Sequence, residues 1–199
     1  MSIALARTDT AAPTAPVQAA GLSDNALIAR IAAGDQTAMR YLFARHQNSV
    51  YRFLLRIVRN EALAEDILSE VFFDVWRQAA SFQGRSSVST WLLAIARYKA
   101  LSARRRRRDD QLDDEVAQSI FDPPADAETL LEEKDRDERL LGALRKLSDE
   151  HREIIDLVYY HGNSVKEVAL ITGLPIGTVK TRIFYARRRL AEAAKALTN

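Results

Sequence analysis

The chain has 199 residues, 47% hydrophobic and 28% charged, with 7 Gly, 5 Pro, no Cys and a formal net charge of +2. That length allows one medium domain or two small ones. Zero Cys excludes a disulfide scaffold, a thiolate nucleophile and Cys-ligated zinc, while so few Gly and Pro argue against an all-β fold with many tight turns.

No apolar run approaches the roughly 20 residues that span a bilayer. Residues 1–20 also lack the unbroken apolar stretch of a signal peptide. A cytoplasmic protein without membrane insertion is therefore expected. The small net charge hides segregation. Residues 1–108 carry 16 basic and 8 acidic side chains, residues 109–139 carry 3 and 13, and residues 140–199 carry 10 and 6. Two basic ends around an acidic strip suggest two modules that meet a polyanion, although an ordinary charged helical surface has the same look.

Residues 1–21 are rich in Ala, Thr and Pro without periodicity and read as a disordered tail. Ser23 is placed to N-cap a first helix with Leu27, Ile28 and Ile31 inward, closed at Gly34. A second helix is predicted over 35–60, with Leu42, Phe43, Val50, Phe53, Leu54, Ile57 and Val58 at a 3.6 period. A third spans 61–80, where Leu63, Ile67, Val71 and Val75 form the inward stripe and Asp66, Glu70, Asp74 and Arg77 share another face. Residues 81–89 hold Gly84 and four Ser and read as a loop. A fourth helix starts near Thr90, carries Trp91, Leu92, Ile95, Ala96 and Leu101, and runs into five consecutive arginines, Arg104 to Arg108. Residues 109–127 are acidic and aperiodic and contain Pro123 and Pro124. They read as a linker, which divides the chain into modules at 22–108 and 128–199.

The second module is again helical, over about 128–147 and 149–160. Ser164-Val-Lys-Glu167 then matches a capping box that opens a short helix. Gly173 suits the left-handed residue that ends it, and Pro175 suits the start of a last helix running to about 196. That helix has Val179, Ile183, Ala186 and Leu190 inward. A short helix, a Gly turn and a second helix with a basic outer face is a helix-turn-helix pattern. The early residues Thr178, Lys180, Thr181 and Arg182 could reach base edges or phosphates. Arg187, Arg188 and Arg189 could neutralise flanking backbone. A helical hairpin with a solvated basic face is the plainer alternative.

Specific stretches go further than pattern. Leu147-Ser-Asp-Glu-His-Arg-Glu-Ile-Ile-Asp-Leu, Ser164-Val-Lys-Glu-Val-Ala and Leu174-Pro-Ile-Gly-Thr-Val-Lys-Thr-Arg-Ile-Phe-Tyr-Ala-Arg resemble region 4 of the sigma-70 family of bacterial RNA polymerase sigma factors. The likeness is greatest to the extracytoplasmic-function (ECF) group. Ala64-Glu-Asp-Ile-Leu-Ser-Glu-Val-Phe-Phe-Asp-Val-Trp76 and Thr90-Trp-Leu-Leu-Ala-Ile-Ala-Arg97 resemble region 2 of the same group. The resemblance implies an all-α protein of two small helical domains joined by a flexible acidic linker. It implies promoter-specific transcription initiation without covalent chemistry or cofactors. The implied partners are core RNA polymerase (its β′ clamp and β subunit), promoter DNA and a cognate anti-sigma factor.

The resemblance also implies roles for residues. Asp66 and Glu70 would meet a basic coiled coil of β′, with Phe72 and Trp76 adding apolar area; Ser69 stands where Gln is frequent. Phe82, Gln83, Gly84, Arg85, Ser86 and Ser87 would form the pocket for an unstacked −10 base. Arg97, Tyr98, Lys99, Arg104 and Arg105 would supply the cationic, partly aromatic face beside it, and Trp91 is either core or a stacking residue. Tyr98 and Ser102 replace the usual Asn and Asp, which bears on −10 base preference. Lys180, Thr181, Phe184 and Tyr185, with Arg182 and Arg187 nearby, would read the −35 element. Tyr185 stands where many relatives have Arg, so one hydrogen bond replaces a bidentate fork. Against an enzyme, His46, His151 and His161 form no His-x-x-x-His pair, and neither Gly-x-Ser-x-Gly nor Gly-x-x-x-x-Gly-Lys occurs. A two-domain helix-turn-helix regulator that acts without replacing sigma would leave the region 2 likeness unexplained.

Overall fold

The computed structural model describes residues 21–110 and 147–195, and the described residues fold into seven α-helices with no strand. All but the last residue of the expected tail over 1–21, most of the expected linker, and all but the last residue of the expected helix over 128–147 lie outside them. The first module holds α1 (Asp24–Ala32), α2 (Gln36–Val58), α3 (Glu61–Gln78) with a 3₁₀ turn at Ala79–Ser81, and α4 (Val88–Asp110).

Local chemistry sets each boundary. The Ser23 hydroxyl accepts from the Ala26 amide at 3.3 Å and starts α1. Gly34, at φ +86°, ends it: its amide bonds to the Ile31 carbonyl and the Asp35 amide to the Arg30 carbonyl, a Schellman closure. Asp35 then caps α2, accepting from Thr37 and Ala38 amides at 2.8 and 3.1 Å and from Arg30 at 2.7 Å. Those bonds, the one from the Ala38 amide foremost, hold its carboxyl below the usual range. Asn60 caps α3 through the Leu63 amide at 2.8 Å, after Arg59 turns the chain at φ 52°. α4 begins at Val88, two residues earlier than expected, because Ser87 accepts from the Thr90 amide and serves as its cap.

The inward stripes meet as read. Leu27, Ile31, Leu42, Phe53, Leu54, Val71, Val75 and Leu92 are among the fully buried side chains, each stabilising the fold by about 1.5–3 kcal/mol relative to exposure. α2 lies at the centre, packed on α1, α3 and α4.

The second module holds α5 (Asp149–Ile155), α6 (Val165–Thr172) and α7 (Ile176–Lys195). The expected single helix over 149–160 is instead α5 continued by one π-helical turn, Asp156–Tyr160, in which the His161 amide reaches the Asp156 carbonyl. Such widened turns are inserted where side chains must be re-aimed, and here Tyr160 and His161 point at α2. The capping box forms at Ser164 and Glu167, and Gly173 ends α6 at φ 70°. Pro175 precedes the first residue of α7, its carbonyl accepting from Val179.

The two modules do not stand apart. Ile154, Leu157, Val168, Ile171, Val179 and Ile183 join the first module's core in one continuous cluster. α6 lies along α4.

Candidate nucleic-acid interface

α6, the Gly173 turn and α7 form a helix-turn-helix with an apolar inner side and a basic, aromatic outer side. Val179, Ile183 and Ala186 are buried, while Lys180, Thr181, Phe184, Tyr185, Arg187, Arg188 and Arg189 are exposed. Phe184 and Tyr185 sit edge to face, 5.6 Å between centroids. Lys180 is free of ion pairs among the described residues. Arg187 donates to the Tyr159 hydroxyl with its guanidinium over that ring, and Arg188 pairs with Glu192 at 2.9 Å, one turn on. Thr178 is half-buried, and Arg182, also half-buried, is bound to Glu150 at 2.6 Å.

On the first module, Gln83, Gly84 and Arg85 form an exposed loop tip, Gly84 at φ 66°, beside half-buried Ser86. Phe82 and Trp91 pack ring on ring at 4.8 Å, both half-buried, so Trp91 serves the core edge and the loop at once. Tyr98 is 74% exposed, and Arg104 and Arg105 line the outer side of α4. Three basic groups expected on this open face are already engaged, Arg104 with Asp149 at 3.4 Å among them. Arg97, 20% exposed, forms a two-pronged pair with Glu153 at 2.7 and 3.2 Å and donates to the Thr172 carbonyl at 3.2 Å. Lys99 bridges Asp74 at 2.8 Å and Glu70 at 3.1 Å. Burial opposes its charge, but the two carboxylates more than offset this and raise its pKa.

α3 presents Asp66 and Glu70 to solvent. Phe72, expected to offer apolar area on this face, does not: it is 4% exposed and packs edge-on against Phe43 at 4.8 Å. The adjacent Phe73, 60% exposed beneath Arg77, occupies the outer position. The cause is helical phase, since a step of one residue turns the side chain by about 100°. Trp76 is half-buried.

One set of residues escaped sequence reasoning, the polar contacts between modules. Asp156 pairs with Arg56, Asp149 with Arg59 and Arg104, and Tyr160 with Arg52. Glu167, read only as a capping residue, also accepts from Thr90 at 3.1 Å and Ser87 at 3.4 Å. The Ser164 amide and hydroxyl, then these two hydroxyls, keep its carboxyl below its usual range against the effect of burial. His161 stands edge-on to Phe53, its Nδ1 3.1 Å from the Ser49 hydroxyl and its Nε2 3.5 Å from Asp156. Burial first, then the Arg56 charge, lowers its pKa to about 4. It is therefore neutral at pH 7, with Nδ1 turned to Ser49 and Nε2 to Asp156. These partners lie 45 to 112 positions apart along the chain, and no periodicity links them.

Comparison with known proteins fits both modules. The family model Sigma-70 region 2 matches residues 42–109, and Sigma-70, region 4 matches residues 143–192. The chain is 33% identical over 159 residues to the RNA polymerase sigma factor CarQ of Myxococcus xanthus, covering 80% of this chain and 90% of that one. It is 29% identical over 169 residues to the ECF RNA polymerase sigma factor SigK of Mycobacterium tuberculosis, covering 83% and 90%. Among solved structures, it resembles the sigma factor RpoE of Bartonella quintana in complex with the anti-sigma factor NepR. That likeness has a TM-score of 0.64 and 28% identity, over 77% of this chain and 94% of that one. It also resembles CnrH in complex with the cytosolic domain of CnrY, with a TM-score of 0.62 and 26% identity over 87% and 97%. With both regions matched in order on one helical chain, the protein belongs to the ECF group of the sigma-70 family and is a sigma factor that directs transcription initiation.

Proposed function

We propose that the chain binds core RNA polymerase through α3, captures −10 DNA with the 82–87 loop and α4, and reads −35 DNA with α7, performing no covalent chemistry itself. One observation carries most of this reading. A single chain holds an exposed acidic stripe on α3 and, on a separate module, a helix-turn-helix whose outer stripe is cationic and aromatic. A carboxylate stripe suits a basic protein surface, whereas the Lys180, Thr181, Phe184 and Tyr185 stripe suits a major groove. Phe82, Trp91, Tyr98 and the arginines ending α4 combine aromatic and cationic groups, as single-stranded DNA requires. An anti-sigma factor is a further proposed partner, supported by the likeness to RpoE in its complex with the anti-sigma factor NepR.

Transcription with sigma-free core enzyme tests the whole. Core plus this protein should initiate at a discrete promoter set, and no initiation at any genomic promoter would overturn the reading. Asp66→Arg should weaken core binding at least tenfold, about 1.4 kcal/mol, with an unchanged circular dichroism spectrum. Unaltered affinity would remove α3 from the polymerase contact.

A further inference from the structure

We infer that Tyr159, on the π turn, and Arg187, on α7, form a phosphate clamp at the edge of the −35 site, in which Tyr159 is the positioning residue that aims the guanidinium without neutralising it. The inference rests on the proposed reading of α7. It extends the DNA surface to a residue outside the helix-turn-helix.

The π turn sends two adjacent tyrosines in different directions. Tyr160 turns to the seam between the two modules, against Arg52 and Arg56. Tyr159 turns to α7 and stays 56% exposed. Its hydroxyl accepts from Arg187 Nε, and the guanidinium carbon lies 5.4 Å from the ring centroid. Ring and hydroxyl together hold a side chain that would otherwise lose much rotamer freedom on binding.

The other arginines of α7 show why the partner's chemistry matters. Arg182 pairs with Glu150 at 2.6 Å and Arg188 with Glu192 at 2.9 Å. Those carboxylates fix their arginines and cancel their charge. Tyr159 fixes Arg187 and leaves its charge whole, since no carboxylate pairs with Arg187 among the described residues. A guanidinium carries five N–H donors and no acceptor. The Nε donor goes to Tyr159, and both Nη groups bond to nothing among the described residues. Because Arg187 offers no acceptor, the O–H of Tyr159 is also left to donate. Two Nη groups and one hydroxyl thus lie together on an exposed surface, a donor set matched to the oxygens of one phosphate.

Placement along α7 favours phosphate over a base edge. Lys180, Phe184 and Arg187 are exposed and recur at i, i+4 and i+7, so they share one face. Arg187 stands seven residues beyond Lys180, about 10 Å along the helix axis. The major groove is only about 12 Å wide. With Lys180 at the base edges, that advance carries Arg187 to the rim of the groove, where the flanking backbone runs.

The test uses the full chain with core polymerase and a duplex promoter that the holoenzyme transcribes. Wild type, Tyr159→Phe, Arg187→Gln and the double variant are compared in equilibrium binding across salt concentrations. Tyr159→Phe keeps the ring and loses only the hydroxyl; Tyr159→Leu takes its place should it melt early. Each single variant should weaken binding about tenfold, at all promoters alike, as for a hydrogen bond to a charged group. Arg187→Gln should also lower the salt slope by about one. The double variant should be no weaker than Arg187→Gln, because the two residues act as one unit. Single methylphosphonates, each removing one phosphate charge, are then scanned along the promoter. One position flanking the −35 element should weaken wild type about tenfold and leave both single variants unmoved. A merely structural role for Tyr159 would not produce a response confined to one phosphate. Losses that multiply in the double variant would overturn the clamp. So would a neutral result at Tyr159 or Arg187, or a scan in which no phosphate separates wild type from the variants. Lys180→Ala distinguishes the two ideas. If Lys180→Ala and Arg187→Gln both leave promoter binding unchanged, or no promoter is transcribed, the α7 reading falls and takes the clamp with it. If Lys180→Ala alters binding and Tyr159→Phe does not, only the clamp falls.

Discussion

Adjacent phenylalanines on α3 show how strongly one residue's phase decides its role. Phe72 is buried against Phe43 and Phe73 is exposed. Phe72→Ala should therefore lower stability by about 3–5 kcal/mol through lost burial and a cavity. Phe73→Ser should cost under about 0.5 kcal/mol, and if it belongs to a polymerase-facing surface it will weaken core binding instead. Denaturant melts of the two variants check the first pair of values, and similar losses in both would contradict the placement. Gly173 is a second residue whose identity is dictated locally. At φ 70°, with open space where a Cβ would stand, it meets no steric obstacle beyond its own backbone. Gly173→Ala should thus cost about 1–2 kcal/mol, the penalty of a left-handed L-residue. A neutral result in thermal melts would mean the turn relaxes.

At the scale of the element, α7 divides its labour along its length. Lys180 and Thr181 lie in the first two turns, exposed on the side opposite Val179 and Ile183, whereas Arg189 lies near the far end. Substituting Lys180 or Thr181 by Ala should change which −35 bases are preferred, at about 1–3 kcal/mol for a good base contact. Arg189→Ala should weaken all sites alike and reduce the salt dependence of binding. A promoter library screened against the variants checks this, and identical base preferences throughout would confine α7 to phosphate contacts. The π turn after α5 is the element that departs most from expectation. Its residues keep a helical pattern, so periodicity reads it as ordinary helix. The extra residue per turn serves the placement of Tyr160 and His161 against Arg52, Arg56 and Phe53.

At the scale of the whole molecule, the seam should respond to acid through His161. The groups facing it are Ser49, Phe53 and Arg56 from α2, and Asp156 and Tyr160 from its own segment. Its folded pKa of about 4 lies below the ordinary value of 6.5. Between those values the unfolded chain binds the extra proton, so stability is whole above pH 6.5 and is lost as pH falls toward 4. Thermal melts should show the wild type losing stability from pH 7 to pH 5. His161→Gln, which cannot charge, should show a shallower slope; equal slopes would assign the acid response to other groups.

The residues themselves determined much of this protein. Caps at Ser23 and Ser164, the Gly34 and Gly173 closures, and the inward stripes of α2, α3 and α7 were legible because each is set by neighbours within about five positions. The resemblance of two ordered stretches to sigma regions was legible for the same reason, since recognition helices carry their function in short motifs. Only the tertiary structure decided that Arg97 and Lys99 are engaged, that Phe72 faces the core, and that Glu153, Asp156 and Glu167 turn toward the first module. Those outcomes depend on which faces of distant helices meet and on carboxylates reaching partners 25 to 100 residues away, and a local pattern contains neither the distance nor the orientation.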